Sequence, residues 1–484
     1  MVKLGKQPVM NNRRPPFAAL CAALIALSLP ALPAAAQDGP LRIEITDGVT
    51  EPMPVAIPTF LGDSPLTAEI ARVVADDLTG TDLFRAIPPD AYLSTPASLD
   101  DPVAWADWRA LHAQALIVAE VVESDGAPTP TTPAPTLSNA TMTSPLGAAA
   151  ETGGGDDRGT VTVRFRIYDV FAGQPLGDGM QLDAARADWR RLAHKLADQV
   201  YHRLTGEAPY FDSRVAFIQE SGPKDARLTR LGIMDYDGAS VDWLTDDASL
   251  VLSPSISPDG SSIIYTSFET GFPQLVVMDV ARVTARPLTS GGDSMAFSPR
   301  FSPDGRWVLY SLESRGNSDI WQMDPASGAA RALFQSPAIE TAPDFSPDGS
   351  QIVFESDRSG SPQLYVAPAD GSAEPVRISF GDGRYGAPVW SPLGDLIAFT
   401  RRNGEAFHIG VMRADGSDEQ MLTESFLDEG PSWAPNGRVV MFTRVTPGGD
   451  GEPRLHSVDI TGRNMRPLEL DFAASDPSWG PLLP

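Results

Sequence analysis

Pro343-Asp-Phe-Ser-Pro-Asp-Gly349 is one of six copies of a short pattern in the C-terminal half of the chain. The other copies also have a second proline four residues after the first, and they are Pro254-Ser-Ile-Ser-Pro-Asp-Gly260, Pro299-Arg-Phe-Ser-Pro-Asp-Gly305, Pro388-Val-Trp-Ser-Pro-Leu-Gly394, Pro431-Ser-Trp-Ala-Pro-Asn-Gly437 and Pro477-Ser-Trp-Gly-Pro481. The leading prolines are 45, 44, 45, 43 and 46 residues apart. One copy would indicate only a turn, but six at a near-constant period indicate a repeat architecture.

Each repeat has the chemistry of a small antiparallel sheet. Ser-Pro-Asp-Gly favours a type I turn, because proline presets φ at its second position and glycine suits its fourth. A run of adjacent apolar residues follows, such as Ile352-Val353-Phe354. Adjacent apolar positions predict a strand buried on both faces. Two further strands fit in each unit, and four strands in about 45 residues are the size of a propeller blade.

The arrangement of the last repeat predicts a closed ring. Five units are complete, but the sixth stops after Trp479, and three strand-like segments at 215–218, 231–235 and 241–245 precede the first motif. We therefore predict a six-bladed β-propeller over 214–484, whose last blade combines strands from both ends and removes two exposed sheet edges. An open solenoid is the alternative, but it would need polar caps rather than complementary half-blades.

The region before the repeats predicts a small α/β domain over 37–206. Segments 55–60, 116–122 and 161–168 read as strands, and helices begin at Ser64-Pro65 and at Asp188. Residues 126–159 have no aromatic side chain and are rich in Pro, Thr, Ala and Gly, so we predict a disordered insertion. Residues 207–213 are predicted to link the two domains.

The first 36 residues predict a signal peptide. A basic start is followed by an apolar run at 17–29, which is too short to span a membrane, and by Ala34-Ala35-Ala36. We expect cleavage after Ala36. A twin-arginine signal at Arg13-Arg14 and a lipoprotein site at Cys21, the single cysteine, are the alternatives.

The charge of the chain argues against polyanionic partners. The net charge is −26, and it becomes −30 without the signal peptide, because four Lys and Arg leave with it and no Asp or Glu does. Such a surface repels phosphate backbones and anionic lipid, so we expect neither nucleic-acid binding nor direct membrane insertion.

Several segments of both domains resemble the TolB family, the periplasmic β-propeller proteins of the Tol–Pal envelope system. They are Leu41-Arg-Ile-Glu-Ile-Thr-Asp-Gly48, Trp189-Arg-Arg-Leu-Ala-His194, Leu204-Thr-Gly-Glu207, Tyr210-Phe-Asp-Ser-Arg214, Phe426-Leu-Asp-Glu-Gly-Pro431 and Asp476-Pro-Ser-Trp479. The insertion at 126–159, and Leu393 in place of the turn aspartate, depart from the family pattern.

The resemblance implies a non-catalytic adaptor, which we expect to be monomeric. Family members bind Pal, a peptidoglycan-associated lipoprotein, through one mouth of the propeller, and their N-terminus engages TolA. The complex supports outer-membrane invagination during cell division and the integrity of that membrane.

Two sets of residues follow as candidate binding sites. The tracts before the leading prolines vary between repeats and are expected to rim the channel, so the candidates for Pal are Met295, Phe297, Ser298, Glu340, Thr341, Arg384, Tyr385, Asp428 and Glu429. We expect exposed Phe, Tyr, Arg and Met among them, although Phe297 and Tyr385 would also fit as packing between blades. The candidates for TolA are Gln37, Leu41, Arg42, Ile43, Glu44 and Ile45 in segment 37–46, which would also fit an ordinary edge strand.

Catalytic and metal motifs have little support. Gly381-Asp-Gly-Arg-Tyr-Gly386 has the letters of a dinucleotide fingerprint without its strand and helix, and Gly292-Asp-Ser-Met-Ala296 lacks the second glycine of a nucleophile elbow. No two of the five histidines are closely spaced, and surface positions are expected for His194 and His202. Asp235-Tyr-Asp-Gly238 suits a turn more than calcium. We predict no catalytic residue and no cofactor. The alternative is a lactonase-like hydrolase with calcium in the channel.

Overall fold

The computed structural model describes residues 51–124 and 159–484, apart from 224–225, 291, 293 and 448–450. The predicted signal peptide, the cleavage site at Ala36 and the segment 37–46 lie outside the described residues. The predicted insertion lies outside them too, except for Gly159.

The N-terminal region combines a mixed sheet with helices. Its elements are β1 (Met53–Ala56), α1 (Leu66–Thr79), β2 (Phe84–Ala86), α2 (Trp105–Ala110), β3 (Ala115–Ser124), β4 (Thr160–Asp169), β5 (Gln174–Pro175), β6 (Met180–Ala185) and α3 (Trp189–Thr205). The sheet order is β2-β1-β3-β4-β5, and β6 also pairs with β4. β1 runs parallel to β2 and β3, whereas β3 and β4 are antiparallel. The elements β2, α2, β5 and β6 were not predicted, because they are short or lack a clear period.

The two long helices bury the side chains that their periodicity indicates. These are Leu66, Ile70, Val74 and Leu78 in α1, and Leu192, Leu196, Val200 and Leu204 in α3. Ser64 Oγ accepts the Leu66 N–H at 3.0 Å and so caps α1. Asp188 precedes α3 as predicted, but its side chain makes no capping hydrogen bond. Within the described ranges, no helix has both the length and the apolar character needed to cross a bilayer.

The repeats form six four-stranded antiparallel sheets. Three strands precede the first repeat: β7 (Ser213–Ser221), β8 (Leu228–Asp235) and β9 (Asp242–Trp243). Blade 1 contains β10 (Val251–Ile256), β11 (Ser262–Ser267), β12 (Gln274–Asp279) and β13 (Thr284–Pro287), and blade 2 contains β14 (Ser294–Phe301), β15 (Val308–Ser314), β16 (Asn317–Met323) and β17 (Ala330–Phe334). Blade 3 contains β18 (Glu340–Phe345), β19 (Gln351–Ser356), β20 (Gln363–Pro368) and β21 (Val376–Arg377).

Blades 4 to 6 complete the ring. Blade 4 contains β22 (Arg384–Trp390), β23 (Leu396–Asn403), β24 (Ala406–Arg413) and β25 (Gln420–Met421), and blade 5 contains β26 (Leu427–Trp433), β27 (Val439–Val445), β28 (Pro453–Asp459) and β29 (Arg466–Pro467). Blade 6 has the order β30-β7-β8-β9, with β30 (Ala473–Leu482) as its inner strand. The first strand of each blade contacts the first strands of both neighbouring blades, so the propeller is closed.

The seam in blade 6 confirms the predicted closure. β30 pairs antiparallel with β7, and Trp479 lies opposite Val215. The five complete turns also form as predicted, with the glycine N–H donating to the carbonyl three residues earlier, as from Gly349 to Ser346 at 2.8 Å. In blade 4, where Leu393 replaces the turn aspartate, Asp395 accepts the Ser391 hydroxyl hydrogen bond instead.

The segment predicted to link the domains is part of their shared core. Tyr210 and Phe211 are 2% and 0% exposed. The Asp198 carboxylate accepts the backbone N–H groups of Tyr210, Phe211 and Asp212 at 2.8, 2.9 and 3.1 Å. One apolar cluster continues from α1 and α3 through this segment to Trp479 in the propeller. Because these contacts bury aromatic rings, they hold the domains together by packing.

Candidate functional site

The propeller has two different ends. The strands of each blade alternate in direction, so one end carries the connections into the inner strands and those between the second and third strands. We call it the mouth end. The other end, the domain end, carries the Ser-Pro-Asp-Gly turns. The contacts between the domains are made there, as where Tyr236 Oη donates to Asp77 Oδ1 at 2.7 Å and Asn464 Nδ2 donates to the Gly80 carbonyl at 2.9 Å.

A ring of β-bulges lies along the inner strands. The residue before each leading proline has a left-handed φ of +45° to +63°: Ser253, Ser298, Ala342, Ala387, Gly430 and Asp476. The register between inner and second strand shifts at each of these positions. Because a bulge redirects the strand and its side chains, the ring sets the direction of the residues that precede it, at the mouth end.

Some bulges are also fixed by neighbouring blades. The Ala342 N–H donates to Ser311 Oγ at 3.1 Å, from the second strand of the preceding blade. At the seam in blade 6, the residue equivalent to Ser311 is Ile218, whose side chain has no polar group. There the Asp476 carboxylate accepts the Ser253 N–H at 2.9 Å. A carboxylate thus replaces a hydroxyl where the ring closes.

The nine residues predicted to contact Pal lie on the inner strands at the mouth end, at the bulges and before them. Their accessibility differs. Met295, Arg384 and Glu429 are exposed, whereas Phe297, Ser298 and Thr341 are half-buried. Glu340, Tyr385 and Asp428 are buried, at 0%, 1% and 0% exposure.

The expectation that Tyr385 is exposed is wrong. Its ring lies 5.3 Å from that of Phe399, and its hydroxyl donates to Glu419 at 2.7 Å. The side chain is therefore buried by contacts within its own blade, whereas the alternative for this residue was packing between blades.

Glu340 and Asp428 are also committed to internal partners. Glu340 pairs with Arg358. Asp428 accepts two hydrogen bonds from Arg444, at 2.7 and 2.6 Å, and one from Thr423 Oγ1 at 2.6 Å. Such buried pairs shape the mouth end, but their side chains are not free to bind a partner.

Large apolar side chains are exposed at the mouth end. They precede inner strands, lie between second and third strands or, in the case of Leu228, begin a third strand: Leu228 (45%), Leu250 (37%), Phe272 (52%), Ile339 (50%), Phe380 (70%) and Phe426 (54%). These residues were not among the predicted site residues, although a large apolar residue within a polar connection between strands is a pattern that indicates them. Several exposed apolar side chains at one end of the propeller make that end a candidate interaction surface.

Carboxyl groups on and beside the inner strands have raised pKa values. Burial raises the pKa of Asp344 to about 6 and that of Glu355 to about 7. Glu429 reaches solvent, but partial desolvation and the charges of Asp476 and Glu220 raise its pKa too. Desolvation is the main cause for all three acids, so they take up a proton more readily than an exposed carboxyl group does.

A second polar cluster joins the domains. His194 is 1% exposed, so the expected surface position is wrong. Its Nδ1 lies 2.8 Å from Asp77 Oδ2. Burial disfavours the charged ring, but the carboxylates of Asp77, Asp237 and Asp235 raise the pKa of His194 to about 9.

One ring nitrogen of His194 and one carboxylate oxygen each of Asp235 and Asp237 lie within 4.8 Å of one another, a spacing that suits a metal ion. However, Arg190 contacts both carboxylates, and Arg214 lies 3.7 Å from Asp235. When its ring is protonated, His194 is the third cation of the cluster beside Arg190 and Arg214. These three cations face three carboxylates, those of Asp77, Asp235 and Asp237, so the charges balance without a metal. Asp235 and Gly238 also form the predicted turn, through a 2.9 Å backbone hydrogen bond.

Comparison with known proteins agrees with this architecture. Residues 201–483 match the family described as TolB beta propeller domain, and residues 41–128 match the TolB amino-terminal domain. The chain is 54% identical over 477 residues to the "Tol-Pal system protein TolB" of Jannaschia sp. (strain CCS1), which covers 98% of this chain and 100% of that protein. It is 55% identical to the protein of the same name from Ruegeria sp. (strain TM1040), over 95% and 97% of the two chains.

A solved structure shares the fold across both domains. The crystal structure of TolB from Acinetobacter baumannii is 25% identical, covers 89% of this chain and 97% of its own, and has a TM-score of 0.73. Family match, near-complete coverage and the six-bladed ring agree, and the chain belongs to the TolB family of Tol–Pal system proteins.

Proposed function

We propose that the chain is a non-catalytic periplasmic adaptor that binds Pal at the mouth end of its propeller and TolA through segment 37–46. In this role it supports outer-membrane invagination during division and the integrity of that membrane, as a monomer and without a cofactor. Family membership supports the general role. The observation that carries the Pal site is the set of exposed apolar side chains at the mouth end.

The mouth end has the composition of an interface centre. Phe380 and Phe426 are the most exposed of its large apolar side chains, at 70% and 54%. Met295 and Arg384 lie at the same end, on the inner strands of blades 2 and 4. Aromatic residues, methionine and arginine are enriched in the centres of protein interfaces, and a few of them carry most of the binding energy.

The accessible candidates are the ones that we propose to touch Pal. Three of them are exposed, namely Met295, Arg384 and Glu429, and three are half-buried, namely Phe297, Ser298 and Thr341. The buried candidates, Glu340, Tyr385 and Asp428, hold the inner strands in place through their internal partners. Since the bulges hold the inner strands in one conformation, the surface is preorganised, which lowers the entropic cost of binding.

Calorimetric titration with purified Pal tests the proposal. Phe380→Ala with Phe426→Ala should weaken binding by at least about 30-fold for each true hot spot, the equivalent of about 2 kcal/mol. The matched control is Val283→Ala with Leu393→Ala, because these side chains are similarly exposed (51% and 60%) but lie at the domain end. Near-native affinity in a correctly folded Phe variant, or equal losses in both variants, would place the site elsewhere.

A further inference from the structure

Two arginines lie directly opposite each other at the mouth end of blade 4. Arg384 is the first residue of β22, and its cross-strand partner on β23 is Arg402. Both side chains are exposed. Neither forms an ion pair with any residue in the described ranges, and Arg402 Nε donates only to the Gly404 carbonyl, at 3.3 Å.

This pairing does not serve the stability of the sheet. Like charges directly opposite in an antiparallel pair are destabilising. The adjacent Arg401, in contrast, pairs with Glu419 at 3.1 Å. In a chain with 63 acidic and 37 basic residues, two facing arginines without carboxylate partners are unexpected.

The surroundings of the pair indicate a binding site. The exposed Phe380 precedes β22, and the exposed Phe426 precedes the inner strand of the next blade. The Arg402 guanidinium lies 5.4 Å from the ring centroid of Phe407, which helps to orient it. The pair thus presents two positive charges at the same end of the propeller as two exposed aromatic side chains.

We propose that Arg384 and Arg402 form a carboxylate-binding subsite for Asp or Glu side chains of the protein partner at the mouth end. This inference rests on the proposed function, in which that partner is Pal. A guanidinium binds a carboxylate through two parallel hydrogen bonds, and bound carboxylates would relieve the repulsion within the pair. The strongly negative chain repels extended polyanions, so a short acidic segment of a protein fits better than nucleic acid or lipid.

The test is the variant Arg384→Gln with Arg402→Gln, titrated with purified Pal at several salt concentrations. Binding should weaken by at least tenfold at low salt, and its dependence on salt should decrease. The melting temperature should stay the same or rise, because the repulsion is gone. If the two arginines instead stabilised the fold, replacing them would lower the melting temperature.

The matched control is Arg282→Gln with Arg306→Gln, which removes the same charge from two exposed arginines at the domain end. This control should bind Pal normally. If the wild-type protein binds Pal and the Arg384/Arg402 variant binds within threefold of it, the subsite is wrong while the proposed function stands. Equal weakening in both variants, or a lowered melting temperature in the first, would also overturn the subsite. If the wild-type protein does not bind Pal, the proposed function itself fails.

Discussion

The indole nitrogen of Trp479 donates a hydrogen bond of 2.8 Å to Ser213 Oγ, across 266 residues of sequence. The Trp479 side chain is 9% exposed, and its ring stacks on that of Tyr236 with 6.2 Å between centroids. The last strand is therefore held to the first strand of the propeller by a specific contact as well as by backbone pairing.

Removing residues 476–484 should destabilise the whole propeller. The truncation removes most of β30, so β7 and the inner strands of blades 1 and 5 lose their neighbour. The single change Trp479→Ala should cost about 3–5 kcal/mol of unfolding free energy, because it opens a cavity in the core. Thermal and urea unfolding followed by circular dichroism measure both effects. An unchanged melting temperature in the truncated protein would contradict the closure, and Leu482→Ala, at a more exposed position on the same strand, is the control.

Stability should fall between about pH 6.5 and pH 9 because of His194. Its pKa is 6.5 in the unfolded chain and about 9 in the folded protein. Since the folded value is higher, the contribution is complete below pH 6.5 and is lost as the pH rises through 9. For a buried group in such a cluster we expect a contribution of about 1–3 kcal/mol.

Urea unfolding at a series of pH values measures the His194 contribution. His194→Gln should flatten the pH dependence in that window, whereas His202→Gln, at an exposed position on the same helix, should leave it intact. The groups that face the ring are Asp77, Asp235, Asp237, Arg190 and Tyr236. A wild-type profile that stays flat from pH 6 to 9.5 would show that the ring is not charged in the folded protein.

Asp428→Ala should act on folding rather than directly on recognition. The change leaves the Arg444 guanidinium buried without its carboxylate, and breaking a buried pair in this way costs about 3–5 kcal/mol. The neighbouring Glu429→Gln should change stability by less than about 0.5 kcal/mol, because Glu429 is exposed. Chemical denaturation of both variants makes the comparison. Equal stabilities would mean that the Arg444–Asp428 pair does not contribute to the fold.

Deleting segment 37–46 should abolish TolA capture while leaving Pal capture intact. The expectation comes from the family resemblance and from the position of the segment before the first described strand. Pull-down of purified TolA and Pal by the deleted protein separates the two interactions. Unchanged TolA binding would assign the contact to another surface.

Export should produce a mature chain that begins at Gln37. Small residues at Ala34 and Ala36 follow the apolar run and fit a signal-peptidase site. Intact-mass measurement of the protein after export gives the cleavage position directly. A mature species that retains Cys21, with or without lipid, would contradict the prediction.

The fold could be predicted because its determinants are local. Each Ser-Pro-Asp-Gly turn forms through its own residues, and its spacing from the next turn sets the blade size. The half-blades at the two ends then allowed one closed arrangement. The six bulges were not predicted, because a left-handed residue before a proline runs against the usual preference of that position.

The site was harder to predict because accessibility depends on side-chain direction. Adjacent residues in a strand point to opposite sides, and among the candidates Arg384 is exposed and Tyr385 buried, while Glu429 is exposed and Asp428 buried. Applying this alternation to each tract would have separated the exposed candidates from the buried ones. His194 had no such signal, since Asp77 is 117 residues away in sequence.

The position of β30 also determines when the protein can acquire its final structure. Three strands of blade 6 precede the other five blades in the sequence, but their inner strand follows those blades, with 255 residues between Glu220 and Ser475 at their contact. Contacts so distant in sequence form slowly. The ring therefore closes only after all five intervening blades and β30 are present, and until then the exposed edge of β7 must be kept from pairing with other chains.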